Sequence, residues 1–129
     1  MLKRIKTLLE RNSYLIAIGI TITIAYLSLG KPIHFKPPIE ITFLDKIFHS
    51  TAYFVLTLSW LFALRKNKKK NYVVIALFLY GILMEFLQGW LTKNRQQDVY
   101  DVIANSFGIL LAVLLFEYFF KYYQKYFDR

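Results

Sequence analysis

The chain has 129 residues, 57% of them hydrophobic and 19% aromatic, with a formal net charge of +9. A soluble domain of this size would be about 45–50% apolar, and here the excess sits in four runs, which excludes an ordinary soluble domain. The basic residues fall in short clusters between those runs, which argues against a nucleic-acid surface, and the absence of cysteine removes disulfides and thiolate metal sites.

The first run covers 13–29 and follows a basic start with Lys3, Arg4, Lys6 and Arg11. It is long for a signal peptide, no small-x-small cleavage site follows it, and three more runs come after, so it reads as an uncleaved first span. Pro32, Pro37 and Pro38 then stiffen a connection over 30–43. The second run covers about 45–64 and ends in the basic turn of Arg65, Lys66, Lys68, Lys69 and Lys70. The third covers 72–91, a polar loop covers 92–100, and the fourth covers about 101–119 before an aromatic and basic tail. Each run makes about 30 Å of helix, enough to cross a bilayer. The expected fold is all-α: one transmembrane domain, an integral membrane four-helix bundle with an outward-facing polar site.

Twelve of the 17 basic residues gather at the N-terminus, the second turn and the tail; the other five lie in the remaining two loops or at the start of the second run. The positive-inside bias therefore expects both termini in the cytoplasm, with the loops before the second and fourth spans outside.

The polar residues inside the spans cluster towards that outer face. Asp45 and His49 are four apart and share a helical face that Tyr53 continues. Asp45 also suits an N-cap. Glu85 and Gln88 are three apart, with Glu85 roughly 9 Å inside the outer boundary. An acid facing lipid there would cost about 2.5–3.5 kcal/mol. Glu85 should therefore face the bundle, either in a functional site or in an interhelical hydrogen bond. Asp101 and Asn105 are again four apart, with Gly108 one turn deeper, where a glycine permits close helix packing. Arg95, in the last outer loop, is suited to clamp phosphate or carboxylate, or to pair with Asp98. The opposite halves of the spans are nearly free of acids and amides; Glu117 lies near the boundary, where it can snorkel or pair with Lys121.

Three segments carry a family resemblance. In DKIFHSTAYF, Asp45, Lys46, His49 and Tyr53 fit D-K-x-x-H-x-x-x-Y. In GILMEFLQGW, Gly81, Glu85 and Gln88 fit G-x-x-x-E-x-x-Q. In NRQQDVYDVIANSFG, Arg95, Asp101, Asn105 and Gly108 fit R-x-x-x-x-x-D-x-x-x-N-x-x-G. With these motifs in order the chain resembles the VanZ-like family, named for a membrane protein associated with resistance to lipidated glycopeptide antibiotics such as teicoplanin. The family has been proposed to be distantly related to membrane enzymes that exchange phospholipid headgroups. The resemblance implies a bacterial cytoplasmic membrane and chemistry on a phosphate-containing lipid headgroup or lipid-linked envelope material.

On that reading His49 is the general base or nucleophile, oriented by Asp45 or Glu85, with Asp101 the remaining catalytic acid. Arg95 and Lys46 hold phosphate, while Gln88, Asn105 and Tyr53 position the substrate. The acids and amides also offer hard oxygen ligands for a divalent cation, but no standard metal motif is present and the sequence identifies no cofactor. The expected partner is a membrane lipid or lipid-linked substrate. The same residues suit a non-catalytic protein that captures a lipidated antibiotic or an envelope precursor. A transporter would place its site nearer the midplane with access from both sides, and a wholly structural polar layer is the remaining alternative.

Overall fold

The computed structural model describes residues 1–29, 41–65, 68–91 and 99–127. These form four helices: α1 (Leu2–Leu29), α2 (Ile41–Ala63), α3 (Lys70–Leu91) and α4 (Val99–Phe127). Three of the four, α1, α3 and α4, are long and apolar enough to cross a membrane. The fold is all-α, as the four apolar runs lead one to expect.

The helices overrun the apolar segments. α1 begins at Leu2, because the basic start is built from good helix formers such as Leu, Lys, Arg and Glu. α4 continues to Phe127 through the aromatic tail. At 28 and 29 residues these two helices measure about 42–44 Å, long enough to project beyond a hydrocarbon core of about 30 Å. α2 starts at Ile41 rather than Asp45, so Asp45 lies a turn inside the helix and is not its N-cap.

Cross-helix contacts fix an up-down-up-down order. At the end that holds the chain termini, Arg65 after α2 pairs with Glu10 of α1, and Lys70 of α3 pairs with Glu117 of α4. The acid of α4 thus finds its partner across the bundle, not in Lys121 alone. Higher in the bundle, Trp60 Nε1 donates to Thr21 Oγ1 (2.8 Å), and Tyr80 Oη donates to the Thr21 carbonyl (2.9 Å). At the far end Gln88 Nε2 donates to the Ser28 carbonyl (2.7 Å), tying α3 to α1.

α2 is the central helix. It packs most extensively on α4 and next on α1, and Leu56 and Thr57 are fully enclosed. Thr57 returns its hydroxyl to the Tyr53 carbonyl (2.6 Å), so this enclosed hydroxyl is paired within its own helix. Enclosure by the other helices is what lets α2 carry Thr57 at this depth. Outward-facing side chains such as Leu15, Ile22, Phe86, Ile103 and Leu110 are exposed, as a lipid solvent requires. The tight α2–α4 contact depends on Gly108. A Cβ added there would collide with the Ser50 carbonyl oxygen and come within 3.1 Å of the Phe54 nitrogen. With no hydrophobic drive between helices in lipid, such close backbone approach is a main source of association.

Candidate functional site

The Ser50–Gly108 contact sets the register that builds the polar cluster. One residue before Ser50 on α2 is His49, and one turn before Gly108 on α4 is Asn105, so the two side chains meet: His49 Nδ1 lies 3.1 Å from Asn105 Oδ1. With the amide oxygen accepting, Nδ1 is the donor in this contact. Nε2 faces two carboxylates, 3.6 Å from Asp101 Oδ2 and 3.7 Å from Asp45 Oδ1. Asp45 is on the same face of α2 one turn before His49, and Asp101 is on the same face of α4 one turn before Asn105, as i,i+4 spacing requires.

Lys46 completes the cluster. Its ammonium is bonded to Asp101 Oδ1 and lies 3.6 Å from Asp45 Oδ2. The Asp101 side chain is only 8% exposed. A buried carboxylate is costly without a partner, and Lys46 supplies the compensating charge. The sequence places Lys46 against substrate phosphate; in the structure its ammonium is engaged inside the cluster.

Asp45, His49 and Asp101 each offer one ligand atom, and all three atoms lie within 4.8 Å of one another. That spacing suits a divalent cation. The donor set of two carboxylates and an imidazole is chemically competent, but Lys46 bridges the same two carboxylates, so a metal and this ammonium would compete for them.

Deeper in the bundle, Tyr53 and Asn105 flank Gly81 of α3. A Cβ at Gly81 would lie 3.3 Å from Asn105 Nδ2 and 3.3 Å from Tyr53 Cε1. Gly81 thus lets α3 approach the His49–Asn105 pair. Tyr53 is buried, its ring is tilted against Tyr80 at 6.2 Å, and its hydroxyl has no hydrogen-bond partner among the described residues. Glu85, one turn beyond Gly81, and Gln88 are 6% and 4% exposed, so both face the bundle and not lipid.

The structure therefore brings Asp45, Lys46, His49, Asp101 and Asn105 into one contiguous cluster, with Tyr53 beside it. Glu85 is buried on the helix that packs there, and Gln88 is bonded to α1. Arg95 lies outside the described residues. Sequence reasoning missed Ser28 as the partner of Gln88: a main-chain acceptor leaves no trace in side-chain spacing. A cleft of about 570 Å³ opens at the opposite end of the bundle.

The chain is similar to known proteins. A protein of Schizosaccharomyces pombe, named as uncharacterized protein C11E3.10, is 32% identical over 99 residues, 74% of this chain. The chain spans 60% of that relative's length. Likeness of this chain thus extends to a eukaryote. No solved structure matches the chain. The VanZ/LLP1 family model matches residues 4–121, which takes in most of α1 and α4, all of α2 and α3, and every residue of the polar cluster. A membrane-spanning four-helix chain with these motifs, matched over nearly its whole length, belongs to the VanZ/LLP1 family.

Proposed function

We propose that this chain acts on the phosphate-containing headgroup of a membrane lipid, or on lipid-linked envelope material, with His49 as the group that moves the proton. The supporting observation is the environment of the imidazole. Asn105 holds Nδ1, and Nε2 faces the Asp45 and Asp101 carboxylates at 3.6–3.7 Å. A base in that position takes a proton from water or an alcohol as its oxygen attacks phosphorus, and the resulting imidazolium is stabilised by the two carboxylates. The proton then passes to the departing oxygen.

In this reading Lys46 provides positive charge beside the reacting phosphate, and Arg95, from its place in the third motif, clamps the phosphate oxygens. Glu85 is a buried acid on α3, one turn beyond the glycine that lets α3 approach the His49–Asn105 pair, and it positions the substrate. The bias of basic residues supports placing both termini in the cytoplasm and the cluster on the outer face of a bacterial cytoplasmic membrane.

A second reading is favoured by one feature. The Lys46 ammonium already sits on Asp101, so the cluster is largely neutralised internally, which suits a protein that captures a lipidated glycopeptide or envelope precursor without chemistry. Incubating the purified protein with headgroup-radiolabelled phospholipid separates the two. Released label that depends on His49 supports the enzyme. Retained but unchanged lipid supports capture. Neither outcome would leave the lipid assignment without support.

A further inference from the structure

At the end of the bundle opposite His49, a cleft of about 570 Å³ opens between the end of α2, the start of α3 and the last turns of α4. That is within the range of small-molecule sites, about 300–1,000 Å³. Its lining divides by chemistry. Leu61, Val73, Phe116 and Phe120 form an apolar part, while Arg65, Lys68, Lys69, Lys70 and Lys121 contribute five cationic side chains against the one acid of Glu117.

Two of these cations are structurally engaged. Lys70 pairs with Glu117 across the α3–α4 gap. Arg65, with a side chain only 5% exposed, reaches Glu10 at 3.4 Å and donates to the Phe62 carbonyl at 2.7 Å. Its Nε is buried with no hydrogen-bond partner among the described residues. Lys68 and Lys69 are exposed at the mouth, and among the described residues no acid pairs with either. Lys68 has φ 51°, a left-handed conformation that favours glycine or asparagine, so a long basic side chain is held there against backbone preference. The N-terminus of α3 begins at Lys70 and adds its own positive potential to the same mouth.

An apolar cleft rimmed with cations, placed where two membrane-spanning helices leave the bilayer, fits a molecule that is anionic at one end and greasy at the other. We propose that this cleft binds the phosphate-bearing headgroup of an anionic phospholipid from the leaflet on the side of the chain termini. The phosphate sits among Lys68, Lys69 and Lys121, and the glycerol and first acyl carbons rest on Phe116 and Phe120. This site is separate from the His49 cluster and does not depend on the function proposed for it.

The test is native mass spectrometry of the full chain in detergent, titrated separately with short-chain phosphatidylglycerol, short-chain phosphatidylcholine and inorganic phosphate. Phosphatidylglycerol should bind at least about tenfold more tightly than phosphatidylcholine. Each lysine near the site is expected to contribute about fivefold, so Lys69→Gln with Lys121→Gln should weaken the anionic lipid on the order of twentyfold, while Gly19→Ala, where an added Cβ meets nothing within 4 Å, should leave it unchanged. Equal binding of the two lipids, or no effect of the paired substitution, overturns the proposal. Displacement by inorganic phosphate at the same concentration overturns the lipid assignment in favour of a free-anion site. A measurement on the unaltered chain decides independently of folding. Acylation of Lys69 and Lys121 by an amine reagent should be slower in phosphatidylglycerol vesicles than in phosphatidylcholine vesicles, relative to Lys3, and equal relative rates overturn the proposal.

Discussion

His49 on α2 and Asn105 on α4 are joined at 3.1 Å across a close helix contact, where Gly108 lies against the Ser50 backbone. The pair links packing to chemistry. A small residue lets two backbones meet, and the meeting brings His49 Nδ1 to the Asn105 amide oxygen.

If Asn105 sets the tautomer, Asn105→Ala should lower lipid turnover by about 10–100-fold, the usual effect of removing a group that orients a functional histidine. The stability cost should be small, about 0.6 kcal/mol for an interhelical hydrogen bond in a membrane. Turnover and unfolding temperature measured on one preparation check this. Unchanged turnover with lowered stability would reduce Asn105 to a strut.

Gly108→Ala should be destabilising by about 1–3 kcal/mol, the range for an overpacked contact, because the added Cβ meets the main chain and not a flexible side-chain end. Gly19→Ala is the matched control. Nothing lies within 4 Å of a Cβ at Gly19, so that change should be neutral or stabilising by roughly 0.5–1 kcal/mol. Thermal unfolding in one detergent compares them, and equal midpoints would contradict the packing described.

Lys46→Gln should destabilise the fold by about 3–5 kcal/mol, since it leaves the enclosed Asp101 carboxylate without its cation. Lys70→Gln, which breaks a pair that is half exposed on both sides, should leave stability within measurement error. The Lys46→Gln protein should also recover stability on addition of Mn²⁺ or Zn²⁺, because a divalent ion can then replace the ammonium between Asp45, His49 and Asp101. Unfolding midpoints with and without metal test both statements.

Glu85→Gln keeps the shape and hydrogen-bonding capacity of a residue that is 6% exposed while removing its charge. The expected outcome is a folded protein with lost turnover. Activity falling only in proportion to stability would assign Glu85 to the scaffold.

Much of this architecture is legible in the sequence because it rests on local periodicity. Asp45 with His49, and Asp101 with Asn105, share faces by i,i+4 spacing alone, and a glycine one turn beyond Asn105 announces a close crossing. The direction of Lys46 is not legible, since a long side chain at a helix flank can reach outward or fold back, and only the depth of Asp101 decides it. Arg65 reads as one more charge in a basic turn, yet it is nearly enclosed because α1 extends far enough to present Glu10. The extra turns of α1 were hidden by their charge: helix formers outside the bilayer do not register in hydropathy. The buried Gln88 is explained by a carbonyl of α1, which no pattern of side chains reveals.

The central claim is that His49 moves a proton in lipid-headgroup chemistry, and the most direct measurement is release of radiolabelled headgroup by the intact protein and by His49→Ala in the same bilayer. Acid–base catalysis contributes about 10²–10⁴-fold, so the account expects release by the intact chain and at least a hundredfold slower release by the variant, with both proteins unfolding at the same temperature. Release at the same rate from the two proteins, or none from the intact chain under conditions where it retains the lipid, would contradict it.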